Sequence, residues 1–249
     1  DATRRHIWML FAWAESRGLT ERNPARAARG AISVPPTREL PVMSVKELRD
    51  LIRTIRKAGG RPGTRIAFEL LMYTFTRKAE LIRATWDEID VDAAEWRIPP
   101  SRRKLRKAAK ENPRTLPHIV PLSTQAVQIL RELQRLTGDG KLVFPSVRSR
   151  QRPMSDNTVN GALRRLGYSK EQMTGHGFRH MASTLLNELG WNPDAIERQL
   201  SHRDRDSIRG TYNLAQYMDE RRRMMQAWAD YLDALKTGAN VIPIRKHAV

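Results

Sequence analysis

Several common features are missing from this chain of 249 residues, beginning with cysteine, which does not occur at all. Disulfide frameworks and thiolate metal sites are therefore excluded. The sequence also lacks a continuous apolar run of about 18 residues, the length that a membrane-spanning helix needs, and no signal-peptide pattern follows Asp1. Acidic residues are scarce, since 27 Asp and Glu face 45 Lys and Arg and leave a net charge of +18.

This excess of positive charge predicts a polyanionic partner. Charge balance says nothing about the fold, but it bears directly on association. Nucleic acid is the leading candidate, because neutralising its phosphates releases counterions and drives binding regardless of sequence. An anionic membrane surface is the rival, although nothing in the sequence spans a bilayer, and we expect no membrane partner.

The N-terminal region has the pattern of a helix that is already under way at the first residue. Ile7, Leu10, Phe11 and Ala14 recur at helical spacing. The run Val-Pro-Pro-Thr at 34–37 breaks helical pattern and is typical of a linker. We therefore expect residues 1–37 to be the end of a neighbouring domain plus a linker, residues 38–249 to form the main domain, and further sequence to precede Asp1.

The main domain is predicted to be mainly α with a small antiparallel β-sheet, an α+β fold. Ser44 and Glu47 form a capping box that opens a helix through about Lys57. Two short strands are predicted at 95–99 and 118–121, with a strongly basic loop between them. Further helices are predicted at 64–74, 123–136, 156–166, 176–189, 194–200 and 217–236.

The main domain contains several side chains that could take part in catalysis, and two pairs of them have the same three-residue spacing. Arg77 and Glu80 lie three residues apart, as do His176 and Arg179, so that each pair shares one helix face. The remaining members are Lys104 in the basic loop, His202, and Tyr212 ten residues later.

Two arginines, two histidines, a lysine and a tyrosine suit phosphoryl transfer. Planar guanidinium groups match the charged non-bridging oxygens of a phosphate. A tyrosine hydroxyl can attack phosphorus if a base takes its proton. A lysine can protonate the departing alkoxide.

The ordered set resembles the tyrosine recombinases, the phage-integrase family, and most closely the satellite-phage-type bacterial integrases. The resemblance spans roughly residues 38–236, and residues 1–33 resemble the end of that family's core-binding domain, which would leave its arm-binding N-terminal domain outside this sequence. The matching segments are 75–81, 98–104, 118–123, 174–179, 197–202 and Tyr212.

The resemblance implies a site-specific recombinase that integrates or excises a mobile element. Tyr212 would form a covalent 3′-phosphotyrosyl bond and free a 5′-hydroxyl, and the hydroxyl of a partner strand would reverse the step. Arg77 and Arg179 would clamp the scissile phosphate. The other implied roles are a hydrogen bond from His202, proton transfer or orientation by His176, general acid catalysis by Lys104, and support from Glu80.

Cofactors and metals are not needed for this chemistry, and none is expected. The implied partners are double-stranded DNA attachment sites, three further copies in a homotetramer on DNA, and host DNA-bending proteins. The apolar tail at 240–245 is expected to dock on a neighbouring copy, with packing on its own domain or disorder as the alternatives. The expected location is the bacterial cytoplasm, at the nucleoid.

Two departures from the family pattern keep parts of the prediction open. Lys78-Ala79 follows Arg77 where Pro-Gly or Thr-Ser is more usual. The basic stretch after Lys104 is long, so Arg103, Arg106 or Lys107 remain alternatives for the acid. We expect Arg102, Arg103, Arg106 and Lys107 to contact DNA phosphates, and His180 to be a supporting or purely structural histidine.

Three other classes are consistent with parts of the pattern. A metallohydrolase could use His176, His180 and His202, but Gly177 stands where the zincin pattern needs its glutamate. A type IB topoisomerase would use similar Arg, Lys, His and Tyr chemistry to relax supercoils. A DNA-binding module that has lost catalysis would not need every catalytic residue type, yet all are present.

Overall fold

The computed structural model describes residues 2–28, 43–202 and 217–237. Its contacts divide the chain into two units, Asp1–Glu39 and Leu40–Val249. Tyr212 and the tail at 240–245 therefore lie outside the described residues.

The described part of the first unit, residues 2–28, contains one helix and a short turn packed beside it. Helix α1 (Ala2–Ser16) is followed by a single 3-10 turn that begins at Pro24. The side chain of Asn23 caps that turn at the amide of Ala25 and donates to the carbonyl of Trp8 at 2.8 Å. The predicted helix at the N-terminus is thus present, although Leu10 on its apolar face is 62% exposed.

The second unit is a helical assembly with one helix at its centre. Helix α3 (Pro62–Thr74) is buried at every position from Ile66 to Thr74, as expected for a helix that is apolar on nearly all sides. It packs against α2 (Val45–Lys57), α4 (Lys78–Ile82), α6 (Thr124–Thr137), α7 (Thr158–Arg165), α8 (Gly177–Glu188) and α10 (Met218–Thr237). The other helices described in this unit are α5 (Lys107–Glu111) and α9 (Pro193–Gln199), and α9 packs against α8 and α10.

The long C-terminal helix α10 closes the core over α3. Trp228 is fully buried, and its indole donates to the carbonyl of Met72 at 2.8 Å. Phe75, at the end of α3, meets the Trp228 ring edge-on at 6.3 Å. This aromatic contact lies at the residue that ends α3, two positions before Arg77, the first of the candidate site residues.

The sheets are small and antiparallel. Strands β1 (Ile89–Asp90), β2 (Glu95–Ile98) and β3 (His118–Pro121) form one three-stranded sheet in chain order, with Trp96 opposite Val120. Strands β4 (Pro145–Ser146) and β5 (Ser149–Pro153) form a separate hairpin. The predicted mainly α fold with a small antiparallel sheet is confirmed, and the two predicted strands are β2 and β3.

The starts of three helices agree with the sequence signals, whereas α3 begins at Pro62, two residues before its predicted start. Ser44 and Glu47 form the predicted capping box at the start of α2. Ser123 caps α6 and Asn192 caps α9 through their side chains. Among the helices of the described ranges, none is long and apolar enough to cross a membrane.

Candidate active site

Arg77 follows a sharp reversal of the chain at the end of α3. Phe75 adopts a left-handed conformation with φ of 37° and is completely buried. This strained cap ends α3, and two residues later Arg77 occupies the N-cap position of α4. The packing of Phe75 in the core therefore fixes the position of the Arg77 backbone.

Glu80 holds the guanidinium group of Arg77. Its carboxylate accepts from Arg77 Nη1 at 3.0 Å and from the Arg77 amide at 3.2 Å. Glu80 is 2% exposed, whereas the Arg77 side chain is 22% exposed. The buried carboxylate thus holds Nη1 of this partly exposed guanidinium group, as the spacing of the two residues predicts, while Nη2 donates to the carbonyl of Ser201 at 3.2 Å.

Arg179 approaches the same turn from α8. Its Nη1 donates to the carbonyl of Phe75 at 3.0 Å, and the residue is 3% exposed. Its Nη2 is buried and has no hydrogen-bond partner in the part of the chain that the structure describes. Burial and the positive charge of Arg77 lower the pKa of Arg179 to about 10. Two neighbouring cations with an unpaired buried N–H form a site that favours an anion.

The start of α8 places His176 beside these arginines. The Thr174 hydroxyl accepts from the amides of His176 and Gly177, at 3.2 and 3.1 Å. Glycine at position 177 allows close packing, because a Cβ there would lie 2.7 Å from the sulfur of Met173, which would have to move. The turn is therefore tight, and it fixes His176 as the residue that precedes the helix.

His176 lies in a positively charged environment. Burial lowers its pKa below the ordinary value of 6.5, and the charges of Arg179, Arg77, His180 and Lys104 lower it further. The imidazole is therefore mostly neutral at pH 7, the form that can accept a proton. The influence of Lys104 also indicates that its ammonium group lies within electrostatic range of this histidine.

His202 is oriented by the carboxylate of Glu197, a residue without a predicted role. Its Nδ1 lies 2.7 Å from Glu197 Oε2, and the Glu197 charge also raises the pKa of Arg179. With Nδ1 donating to Glu197, the outer nitrogen Nε2 can donate to a phosphate oxygen when the ring is an imidazolium. A glutamate five residues before a histidine is not a recognisable sequence signal, because the pairing depends on the turn that ends α9.

In the basic loop between β2 and β3, Arg102 and Arg103 are bound to other parts of the protein, whereas the remaining positive residues lie at the surface. Arg102 is anchored inside the protein, where its guanidinium pairs with Glu88 at 2.5 Å and donates to the Glu80 carbonyl at 3.2 Å. Arg103 donates to the Leu116 carbonyl at 3.2 Å and to the hydroxyl of Ser201 at 3.0 Å.

The other residues of this loop lie at the surface. Lys104, Arg106 and Lys107 are exposed, and Lys107 makes a long ion pair of 3.9 Å with Glu111 in α5. These three side chains are available to a ligand. Arg102 and Arg103 already have protein partners. To make the predicted contacts, each guanidinium group would have to bind a DNA phosphate and its protein partner at the same time.

A buried polar network joins the elements on either side of the Tyr212 segment. Gln199, completely buried at the end of α9, accepts from Arg221 of α10 at 2.6 Å. Arg221 also donates to the carbonyl of Ile119 at 2.6 Å. The network ties α9, α10 and β3 together, and so positions both chain ends from which the undescribed segment 203–216 departs.

His118 completes this network as a neutral residue. Its Nε2 donates to the Gln199 carbonyl at 3.2 Å. Burial lowers the pKa of His118 well below 6.5, and the positive charges of Arg221 and Arg103 lower it further.

Tyr73 and Tyr231 are held within the folded core. Tyr73 is buried and donates to Asp233 at 2.8 Å, and burial raises its pKa far above the ordinary value. Tyr231 is 6% exposed and stacks on Trp228 at 5.7 Å. Neither hydroxyl is suited to attack an external phosphate.

The other tyrosines are Tyr168, Tyr212 and Tyr217. Tyr168 packs against the core. Tyr217 donates to Asp194 at 3.3 Å, and slight burial together with the Asp194 charge raises its pKa. Tyr212 lies outside the described residues, so the structure gives no position for it.

Metal ligation has no support in the described ranges. No group of three or more histidine, cysteine, aspartate or glutamate side chains is arranged there to hold a metal ion. His176 instead lies near the positive charges of Arg179, Arg77 and Lys104, which would repel a metal cation.

The sequence matches the family model described as the phage integrase family over residues 41–218, a range that includes Tyr212. It is 41% identical over 237 residues to the integrase of Enterobacteria phage P4, covering 92% of this chain and 54% of that protein. It is also 41% identical over 230 residues to the putative protein IntB of Escherichia coli K12, covering 90% of this chain and 58% of that protein. The chain thus spans little more than half the length of these curated relatives.

Solved structures share the fold at low sequence identity. The Tn1549 transposon integrase (residues 82–397), solved in complex with circular intermediate DNA, superposes with a TM-score of 0.57 at 16% identity, covering 90% of this chain and 77% of that one. A lambda integrase dimer bound to a COC′ core site gives a TM-score of 0.56 at 19% identity, covering 81% of this chain and 70% of that one.

Proposed function

This chain belongs to the phage integrase family of tyrosine recombinases, and from that premise we propose that it contains the catalytic domain of a site-specific DNA recombinase. It would integrate or excise a mobile genetic element by cutting and rejoining DNA strands. The relatives named integrase, and the fold shared with integrases solved on DNA, support this proposal over a type IB topoisomerase.

The observation that carries the proposal is that Arg77, at the start of α4, and Arg179, from α8, both lie at the turn that follows α3. Arg77 is held by Glu80, and Arg179 is anchored on the Phe75 carbonyl with one buried N–H unpartnered within the described residues. Arg77 lowers the pKa of Arg179, so the two charges repel one another. A phosphodiester bound between them would relieve that repulsion and pair the free N–H.

In the proposed reaction, the Tyr212 oxygen attacks the scissile phosphorus after losing its proton to a base, a role that suits neutral His176. An oxygen–phosphorus bond to Tyr212 forms and the bond to the 5′-oxygen breaks. Lys104 supplies the proton that the departing 5′-oxygen takes up. Attack by the 5′-hydroxyl of another strand reverses each step, so no external energy source is needed.

The other site residues receive supporting roles in this proposal. His202, oriented by Glu197, donates to a non-bridging oxygen. His180 contributes by tuning the charge around His176. The exposed residues Arg106 and Lys107 contact DNA phosphates, while Arg102 and Arg103 mainly fix the loop from which Lys104 projects.

The wider assembly is part of the same proposal. Residues 1–37 would be the end of a core-binding domain, and residues 38–249 the catalytic domain. The working complex would be a homotetramer on double-stranded attachment sites, with tails at 240–245 exchanged between copies and host DNA-bending proteins assisting. The location would be the bacterial cytoplasm.

The test is strand exchange by the full-length protein on DNA carrying the two ends of its own element. Recombinant joints that form in excess chelator, and disappear with Tyr212→Phe, are the expected result. Relaxation of any supercoiled plasmid without recombinant products would instead identify a topoisomerase. DNA binding without either reaction would identify a module that lacks catalysis.

A further inference from the structure

Ser201 occupies a backbone position that usually favours glycine. Helix α9 ends in a Schellman motif, in which the amide of Ser201 donates to the Arg198 carbonyl and that of His202 to the Glu197 carbonyl, at 3.0 and 3.1 Å. Ser201 is the left-handed residue of this motif, with φ of 51°. Glycine adopts that conformation without steric cost, whereas a side chain makes it strained. Strain of this kind is often retained where the side chain serves a function.

The two polar groups of Ser201 contact two different parts of the candidate active site. Its carbonyl accepts from Nη2 of Arg77 at 3.2 Å. Its hydroxyl oxygen accepts from Nη2 of Arg103 at 3.0 Å. The carbonyl would be present with any residue at this position, but the second contact requires the hydroxyl.

Through Arg103, the hydroxyl fixes the loop that contains Lys104. The Arg103 guanidinium also donates to the carbonyl of Leu116, near the other end of the loop. Lys104 follows Arg103 directly, is exposed, and affects the pKa of His176. The contact to Ser201 is therefore a connection between the end of α9 and the base of the Lys104 side chain.

We infer that Ser201 is a positioning residue, whose hydroxyl holds Arg103 and thereby places Lys104 for proton donation to the leaving oxygen. The inference rests on the proposed function, because it assumes that Lys104 is the acid of a strand-cleavage reaction. In this inference the Ser201 hydroxyl affects only one step of the reaction, the departure of the 5′-oxygen.

Two DNA substrates separate this role from a general structural one. One has the normal scissile phosphodiester, and the other has sulfur in place of the bridging 5′-oxygen. A thiolate is a better leaving group than an alkoxide and departs without a proton. A defect in acid catalysis is therefore repaired by the sulfur substrate, whereas a defect in phosphate binding or folding is not.

The variants are Ser201→Gly and Arg103→Gln in the full-length protein, with Lys104→Met as the reference for loss of the acid. Ser201→Gly keeps the carbonyl for Arg77, relieves the strain and removes only the hydroxyl. Ala94→Gly is the matched control, since Ala94 is also left-handed, with φ of 52°, in the turn between β1 and β2. Covalent adduct is measured in single-turnover reactions, and melting temperature is measured beside it.

Ser201→Gly should form adduct about tenfold more slowly than wild type on normal DNA, the effect of losing a hydrogen bond to a charged group. On the sulfur substrate it should match wild type within about twofold, as should Arg103→Gln and Lys104→Met. Its melting temperature should not fall, because glycine suits the left-handed position. Combining Ser201→Gly with Arg103→Gln should slow cleavage no further than either change alone.

Equal slowing on both substrates, or no slowing on either, would overturn the inference and leave the proposed function standing. If wild type forms no adduct on either substrate, the proposed function fails and the inference fails with it. Ala94→Gly should match wild type on both substrates, and slowing by it similar to that by Ser201→Gly would also overturn the inference.

Discussion

Arg179 reaches from α8 to the main chain at the end of α3, where its Nη1 donates to the Phe75 carbonyl at 3.0 Å. This bond connects the second arginine of the candidate site to the reversal that positions the first. It uses one edge of the guanidinium group and leaves Nη2 without a hydrogen-bond partner in the described ranges. Both functions, the bond to Phe75 and the free Nη2, depend on the planar fork of the guanidinium group.

Arg179→Lys should slow adduct formation on the order of 10–100-fold, the range expected when a hydrogen bond to a charged group is lost. A lysine ammonium group cannot contact Phe75 and a phosphate with the geometry of a planar fork. Single-turnover cleavage with purified protein measures the effect. Arg131→Lys, which changes an exposed arginine of α6, should match wild type. Equal rates for Arg179→Lys and wild type would remove Arg179 from the site.

Glu80→Gln should reduce cleavage by about tenfold, because the neutral amide holds Arg77 less firmly than a buried carboxylate does. Glu69→Gln is the matched control, since Glu69 is also buried and pairs with Arg65 at 3.2 Å on α3, outside the candidate site. The two variants should lose similar stability but differ in activity. If both reduce cleavage alike, the effect of Glu80 is structural and not specific to Arg77.

Removing a positive charge beside His176 should raise its pKa. Lys104→Met and His180→Gln each delete a group that lowers the pKa of this histidine. In proton NMR titrations, the His176 signal should therefore titrate at higher pH in both variants than in wild type. The acidic limb of the cleavage rate of His180→Gln should move to higher pH with it, because neutral His176 is the proton acceptor.

The control for that titration is Lys141→Met, since Lys141 is exposed and is not among the charges that act on His176. It should leave the His176 titration unchanged. A shift to lower pH in Lys104→Met would contradict the placement of Lys104 beside the histidine.

Stability should fall on acidification because His118 is buried in its neutral form. Its pKa lies well below 6.5 in the folded protein, so the unfolded chain binds a proton below pH 6.5 that the folded chain does not. The free energy of unfolding should therefore decrease below that pH, by up to about 1.4 kcal/mol per pH unit from this group.

His118→Gln should remove that part of the pH dependence, whereas His6→Gln, which changes an exposed residue of α1, should retain it. Urea unfolding at several pH values between 7 and 5 provides the comparison. An unchanged pH dependence in His118→Gln would mean that His118 does not govern it.

Local signals in the sequence predict much of this fold. The capping box at Ser44, the short strands β2 and β3, and the pairing of Arg77 with Glu80 depend on residues within a few positions of one another. The β4–β5 hairpin was not predicted, because the segment Ser149–Pro153 is polar and has no apolar alternation. Helix α5, with five residues, has no sequence signal of its own within the basic loop.

The parts of the site that escaped prediction depend on long-range contacts. Arg102 and Lys104 look equivalent in a basic run, yet Arg102 pairs with buried Glu88 while Lys104 is exposed. Ser201 contacts Arg77 and Arg103 across 124 and 98 residues of sequence. Such contacts follow from the packing of α9 against the core, which no short pattern encodes.

The central claim is that Tyr212 is the nucleophile, and covalent trapping tests it most directly. The full-length protein is incubated with a DNA substrate in which the scissile 5′-oxygen is replaced by sulfur, and the adduct is digested and mapped. The account predicts DNA attached at Tyr212 and no adduct from Tyr212→Phe. An adduct at Tyr217 or Tyr231, or an adduct that persists in Tyr212→Phe, would contradict it.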